Sequence, residues 1–350
     1  MHLIEKILEK AIYNEKKKIV LPESYDVRVL KAAEIITNRK VSNVVLIGNE
    51  DKIYDLAEMN DIDLFGCEII NFHDDVNKNQ YIKEFLFLRK DKGLTSSQAF
   101  EVLTNANNLH YAGMMVRSGF VDGCVAGAAN TTGDVIRAGV QTVGLMPGVS
   151  LVSSAIFIDT GLTDFGEDGV FLMADVAVNP NPEAHQLAGI AISSAQTFES
   201  VLGVPAKVAM LSFSTKGSAE HPDVLKVREA TSLARQMSED LVIDGELQID
   251  PAIDKRSAAM KTPGGTLAGN ANVLVFPNLD AGNIGSKIPQ VLYGAKGIGP
   301  LLQGLRKPFN DLSRSCSVEN IVGVTAMTCL QAITKMDHRK EPVCALASSL

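Results

Sequence analysis

Apolar residues recur in two rhythms along the first part of the chain. Leu3, Ile4, Ile7, Leu8 and Ile12 fall at helical spacing, and Val27, Leu30, Ala33 and Ile36 repeat it. Between and after them come short β-rich runs: KIVLPE at 18–23, NVVLIG at 43–48, CEIINF at 67–72 and GCVAG at 123–127. Strand and helix in alternation predict βαβ units and a parallel sheet covered on both faces.

From Pro147 the rhythm changes. LVSSAIFID (151–159) and GVFLMADVAVN (169–179) are consecutive strand-like runs joined by the turn-rich TGLTDFGEDG, which predicts an antiparallel hairpin. A long Ala-rich helix follows from Pro182 to about Leu202, then KVAMLSF (207–213), a helix near 223–237, LVIDG, a helix near 251–260, and NVLVFP (272–277). This is a second α/β unit with its own core. After GAKGIGPLLQG (294–304) the chain closes with a helix whose apolar positions are Val318, Ile321, Val322, Met327, Leu330 and Ile333. The expected organisation is a discontinuous first domain, 1–147 with 300–350, and a second domain, 148–299. The tail beyond about Lys335 is polar and expected to be loosely ordered.

Length agrees with two domains, since 350 residues exceed one ordinary core. Composition is globular, with 46% hydrophobic and 21% charged residues. A formal net charge of -8 leaves no basic surplus for nucleic acid, although a local cationic site for a small anion stays open. Five scattered cysteines without a CxxC pair suggest neither a disulfide framework nor a zinc knuckle, and fit a reducing, cytoplasmic compartment. Glu and Lys interrupt the first apolar stripe, so it does not read as a signal peptide. No apolar run approaches the ~20 residues needed to span a bilayer, so no membrane partner is expected.

Several chemistries drop out by their missing signatures. There is no P-loop and no GxSxG elbow. The glycines at 294, 297, 299 and 304 do not match GxGxxG, and the six histidines show no HExxH or paired spacing, so no metal site is expected.

The polar motifs point to anions. Arginine grips phosphate through two parallel charge-assisted hydrogen bonds, and Arg89 (LRKDKG), Arg137 (NTTGDVIRAGVQ) and Arg314 (NDLSRSCSVEN) all lie in polar, turn-rich settings. For each the competing reading is a solvated surface residue. Arg137 stands in the first turns of a helix entered through Thr131, Thr132 and Gly133. Arg314 stands just before a helix that Ser317 can cap. Helix N-termini already favour anions through free N–H groups and the dipole. Ser313 beside Arg314 is either part of such a site or a simple turn. The loop FSTKGSAEHPD (213–223), with Ser214 and Lys216, and the stretch NLDAGNIGSKI (278–288), with Asn283 and Lys287, are each a ligand loop or an ordinary connection.

NTTGDVIRAGVQ, MLSFSTKGSAEHPDVLKVREAT, IDGELQIDPAI, ANVLVFPNLDAGNIGSKI and KPFNDLSRSCSVENI, in this order and spacing, resemble the phosphate acetyltransferases. The resemblance runs from Leu3 to about Ile333. The phosphate butyryltransferases share the general plan, but the DGELQ and AGNIG stretches favour the acetyl enzymes. It implies reversible transfer of an acetyl group between coenzyme A and inorganic phosphate, with acetyl phosphate on one side. It also implies two three-layer α/β/α domains of isocitrate dehydrogenase-like fold, an active-site cleft between them, and a homodimer. Coenzyme A is then a substrate, and no tightly bound cofactor is implied. Ser313 and Arg314 match the family's Ser-Arg pair, Arg137 the arginine of its TTADxLR stretch and Arg89 that of its RKHKG stretch, positions implied to hold phosphate and coenzyme A. Thr131, Thr132, Ser214, Lys216, Asn283 and Lys287 are the further binding positions the resemblance suggests.

The chemistry agrees with such a transfer. A thiolate adds to the acyl carbonyl while negative charge grows on its oxygen, and a donor aimed there is typically worth roughly 3 kcal/mol. One departure stands out: the family motif ends Ser-x-Glu-Asp, its Asp being a proposed general base, whereas this chain ends Glu319-Asn320. An amide takes no proton at useful pH. Glu319, Asp311 or Asp175 could take the proton, the cationic site could lower the thiol pKa, or the chain could be a catalytically weakened coenzyme A-binding relative. An active enzyme is the favoured reading, because the serine and arginines remain. Gly133 and Ser315 stand where the family has Ala and Gly. A decarboxylating dehydrogenase of related fold would need a dinucleotide site and a carboxylate cluster, and the sequence has neither.

Overall fold

The computed structural model describes residues 3–105, 107–147 and 149–333. These form two compact units, residues 3–145 with 305–333 and Met146–Gly304. The polar tail lies outside the described residues.

The first unit opens with α1 (Leu3–Tyr13), β1 (Lys18–Leu21), α2 (Val27–Asn38), β2 (Asn43–Ile47), α3 (Glu50–Glu58), β3 (Glu68–Ile70) and α4 (Lys78–Leu88). A 3-10 turn (Lys90–Lys92) leads to α5 (Ser96–Leu103), α6 (Leu109–Ser118), β4 (Gly123–Ala126) and α7 (Thr132–Thr142). The second unit contains β5 (Ser153–Asp159), β6 (Val170–Ala174), α8 (Ala184–Leu202), β7 (Lys207–Leu211), α9 (Pro222–Met237) and β8 (Val242–Leu247). It continues through α10 (Ile249–Ile253), α11 (Lys255–Lys261), β9 (Val273–Val275), α12 (Leu279–Tyr293) and β10 (Lys296–Gln303). The chain then returns to the first unit with β11 (Phe309–Asp311) and α13 (Val318–Ile333).

The first sheet runs β11-β4-β1-β2-β3, and every pairing in it is parallel. Ile19, Val20 and Leu21 are all buried, the continuous apolar run expected of a central parallel strand. Strand order reverses between β1 and β4, since β2 and β3 lie on one side and β11 on the other. At such a point the loops leaving neighbouring strands part and open a crevice at their carboxyl ends. Register pairs Ala126 with Asp311, so the loops beginning at Gly127 and Leu312 emerge side by side.

The second sheet runs β10-β5-β6-β9-β7-β8. The expected hairpin is present: β5 and β6 pair antiparallel, with Phe157 opposite Leu172. The β6-β9, β9-β7 and β7-β8 pairings are parallel. Its core gathers Ile158, Phe171, Met173, Leu211, Leu247 and Leu274. Three elements depart from the sequence reading, one of them β11, a strand where the sequence suggested only a polar segment. GAKGIGPLLQG holds an edge strand, β10, paired antiparallel with β5 with a register shift between Ile298 and Leu301. NLDAGNIGSKI is not a loop but the start of α12, with the Asn278 side chain accepting from the Ala281 N–H.

Candidate active site

The carboxyl ends of β1, β4 and β11 in the first unit are built around one carboxylate. Glu23, two residues past β1, is 1% exposed. One of its oxygens accepts the N–H groups of Gly127 and Ala128 at 2.9 and 2.8 Å, the other those of Ala129 and Asn130 at 3.0 Å each. The Asn130 side-chain amide adds a bond of 2.6 Å. Four successive backbone N–H groups can converge on two oxygens only if the loop curls around them, so Glu23 sets the path from β4 to α7.

Arg28, in the first turn of α2, joins this loop to the next. Its guanidinium donates to the carbonyls of Ala128 at 2.7 Å, Arg314 at 2.8 Å and Cys316 at 3.0 Å, and pairs with Asp26 at 2.7 Å. The Ser313–Ser317 segment is thereby held from behind by its own carbonyls, and Ser313, Arg314, Ser315 and Ser317 are exposed while Cys316 is buried. Ser313 Oγ lies 2.9 Å from Ser315 Oγ. The Arg314 guanidinium has no partner among the described residues. Ser317 caps α13 as its sequence position suggests, accepting from the Asn320 N–H at 3.1 Å. Asn320 thus sits on the first turn of that helix, partly buried.

A second tether fixes α7. Thr131 is its N-cap, accepting from the Asp134 N–H, and Thr132 donates to Asp311 Oδ2 at 2.6 Å. Through that bond the first turn of the helix carrying Arg137 is pinned to the end of the strand that leads into Ser313 and Arg314. Arg137 is 60% exposed and pairs with Asp134 one turn back at 2.7 Å. Arg89 ends α4. Burial chiefly, with the Arg137 and Arg89 charges adding to it, holds the His110 imidazole below its ordinary pKa. Both guanidinium groups therefore act on one buried ring. His110 Nε2 lies 3.1 Å from Gln141 Oε1. Asp311 is 1% exposed, and burial raises its pKa to about 7, opposed by the Thr132 bond and the Leu312 N–H and reinforced by Glu23. The Cys316 thiol is buried among these loops and pushed up by desolvation, a packing group rather than a nucleophile.

In the second unit the expected binding residues are more deeply engaged. Ser214 is fully buried and donates to Glu246 at 3.0 Å. Glu246 also accepts from Arg228 Nε at 2.9 Å and the Gly217 N–H at 2.8 Å. Lys216 forms a short contact with Asp244, which Arg235 also holds. Asn283 donates to the Val176 carbonyl at 2.9 Å, fastening α12 to the segment after β6. Asp175 accepts from Ser154, Asn179 and the N–H groups of residues 177–179, a carboxylate saturated by its own loop. Lys287 is exposed, with no ion-pair partner among the described residues. No set of three or more metal-ligating side chains among the described residues could hold a metal.

Sequence reasoning passed over Glu23 and Arg28 as binding-loop organisers. Apart from the Arg28–Asp26 pair, their partners lie about a hundred or more positions away, so no local motif marks them. What could have found Glu23 is a lone carboxylate two residues past a buried strand, where a solvated role is hard to sustain.

Fold and site together define an α/β protein with two mostly parallel sheets and an arginine-bearing set of helix N-termini at the carboxyl ends of one of them. The sequence model for "phosphate acetyl/butaryl transferase" matches residues 2–329, and the chain belongs to that family. A phosphate acetyltransferase of Thermoanaerobacterium thermosaccharolyticum is 48% identical over 332 residues, 95% of this chain and 100% of that protein. Solved phosphotransacetylases from Staphylococcus aureus (42% identity, TM-score 0.86) and Streptococcus pyogenes (37%, 0.87) each cover 95% of this chain and 98% of their own.

Proposed function

We propose that the protein is a phosphate acetyltransferase that moves an acetyl group reversibly between coenzyme A and inorganic phosphate, by direct attack of the thiolate on acetyl phosphate. The relatives' activity supports this reading, and so does the geometry of the first unit. The observation that carries it furthest is the Thr132–Asp311 bond, which ties the helix bearing Arg137 to the segment bearing Ser313 and Arg314.

In this reading the phosphoryl oxygens of acetyl phosphate meet Arg314, Ser313 and Arg137, with Arg89 adding positive potential nearby. The free N–H groups of the α7 and α13 first turns contribute the positive ends of two helix dipoles. As sulfur attacks, charge shifts onto the carbonyl oxygen and then the leaving phosphate. Preorganised guanidinium groups stabilise that charge more than they stabilise the ground state. Holding both substrates in line supplies a further part of the acceleration. Coenzyme A acts as substrate and no tightly bound cofactor takes part. Lys287 is one of the exposed second-unit cations with no ion-pair partner among the described residues, and in this reading it binds a phosphate of coenzyme A. Lys216 and Ser214 shape their loop instead.

The protein acts in the cytoplasm as a homodimer in this proposal. No helix among the described residues is long and apolar enough to cross a membrane. On α12, Ile284, Ile288 and Leu292 form an i, i+4, i+8 stripe that is 59%, 47% and 68% exposed, with Val291 78% exposed beside it. Such a stripe is costly in water and suited to a second copy of the chain.

The deciding experiment supplies coenzyme A with acetyl, propionyl or butyryl phosphate and follows loss of free thiol. Fast turnover with acetyl phosphate and poorer turnover as the acyl chain lengthens is expected. Preference for butyryl phosphate would move the protein to the butyryl side of its family, and no thiol consumption with any of the three would remove the transferase reading.

A further inference from the structure

Asp311 is an unusual group to bury. Its Oδ2 accepts the Thr132 hydroxyl, while its Oδ1 has no hydrogen-bond partner among the described residues. The carboxyl packs against the bare backbone of Gly127, where a Cβ would come within 2.4 Å of Oδ1. As a mere tether for α7 the acid is a poor choice, because an asparagine oxygen would accept the same Thr132 bond without burying a charge. What an acid adds is the capacity to take and return a proton.

Thr132 supplies the path. Its hydroxyl hydrogen is committed to Asp311, so its oxygen is left to act as an acceptor. It is half-buried at the start of α7, one turn before Arg137. We propose that Thr132 and Asp311 form a proton relay that draws the proton from the attacking thiol. This rests on the acetyl-transfer reading above. The thiol proton passes to Thr132 Oγ1 as the Thr132 hydroxyl proton passes to Asp311 Oδ2. The sulfur pair forms the C–S bond to the acyl carbon, and the carbon–oxygen bond to phosphate breaks with its pair leaving on phosphate. Asp311 then returns its proton through Thr132 to the departing phosphate, so nothing is oxidised or consumed. Thr132 is the catalytic residue of the pair. Asp311 works through it.

The charges around the relay suit this task. Burial leaves Asp311 near half-protonated at neutrality, and Glu23 opposes its ionisation further. Arg28, the cation that bridges these loops, is paired with Asp26. Arg137 is engaged by Asp134.

The test compares wild type with Thr132→Val, Thr132→Ser and Asp311→Asn, measuring kcat and KM from about pH 5.5 to 9 with acetyl phosphate and coenzyme A. Wild type should lose kcat on the acid side with an apparent pKa near 7. Thr132→Ser should keep that limb and stay within about fivefold of wild type, while Thr132→Val and Asp311→Asn should lose the limb and about a hundredfold or more in kcat, KM shifting by less than about threefold. Should Asp311→Asn fail to fold, the near-isosteric Thr132→Val decides alone. Retention of the acid limb by Thr132→Val overturns the relay, whether kcat is preserved or falls evenly at every pH as loss of a tether would make it. Absence of thiol consumption by wild type is a different result, and it removes the transferase reading itself.

Discussion

Replacing Glu23 by Gln keeps the side chain's size and removes its charge, so it isolates what the carboxylate does for the loop after β4. In the wild type two donors reach one oxygen and three reach the other. An amide has one oxygen and one NH2. In either orientation at least two backbone donors lose their acceptor and face N–H hydrogens instead. At 1% exposure no water is at hand to replace it. Each orphaned buried donor costs about 1–3 kcal/mol, and the surviving bonds lose their charge assistance. The expected destabilisation is therefore about 3–6 kcal/mol, a large share of a typical domain's 5–15. Tyrosine fluorescence during urea unfolding reads it. The chain has no tryptophan, and Tyr81 and Tyr111, the deeply buried pair among its six tyrosines, lie in the first unit. A loss below about 1 kcal/mol, with the m-value unchanged, would show that the loop holds its path without the charge and refute the argument.

Four further outcomes follow from the same geometry. Arg314→Ala and Arg137→Ala should each lower kcat/KM for acetyl phosphate by about 10²–10³-fold, with lysine restoring only part, because a point charge cannot reproduce the two-pronged grip; steady-state kinetics checks this. Asn320→Asp should change kcat by no more than about tenfold at any pH, since proton removal does not depend on position 320, and a gain of many orders would mean the natural chain is crippled there. The raised Asp311 pKa, from 3.8 to about 7, means the folded state keeps a proton that the unfolded chain releases between those values. Stability should therefore fall as pH rises through that window and level off above it, by up to about 4 kcal/mol, and urea midpoints of Asp311→Asn should lack this slope. Leu292→Asp on the exposed stripe of α12 should turn a dimer into a monomer by light scattering while leaving the far-UV circular dichroism spectrum unchanged.

The strands of both sheets were largely legible because buried parallel strands read as unbroken apolar runs, as in KIVL and NVVLI. β10 was missed because Gly297, Gly299 and Pro300 read as loop. An edge strand tolerates them, since only one side of its backbone is paired. α12 was missed because Gly282 and Gly285 suggest turns. Gly282 instead lets the helix meet the Asp175 carbonyl, to within 2.0 Å of where a Cβ would stand, and Gly285 meets the Phe276 ring. These glycines serve packing, a role local sequence does not reveal. At the site, the exposed residues Ser313, Arg314 and Arg137 stood out because their motifs are local. Glu23, Arg28 and the Thr132–Asp311 bond did not, because their partners come together only when distant strands align.

One side chain, Arg28, grips the carbonyl backbone of two segments nearly two hundred residues apart, at Ala128 and at Arg314 and Cys316. A rigid planar group fixed at both ends makes the two segments move as one body. A ligand arriving at either finds much of the disorder already removed, so more of its contact energy appears as affinity. The same coupling makes the surface all-or-none, because a thermal fluctuation that frees one segment unmoors the other with it.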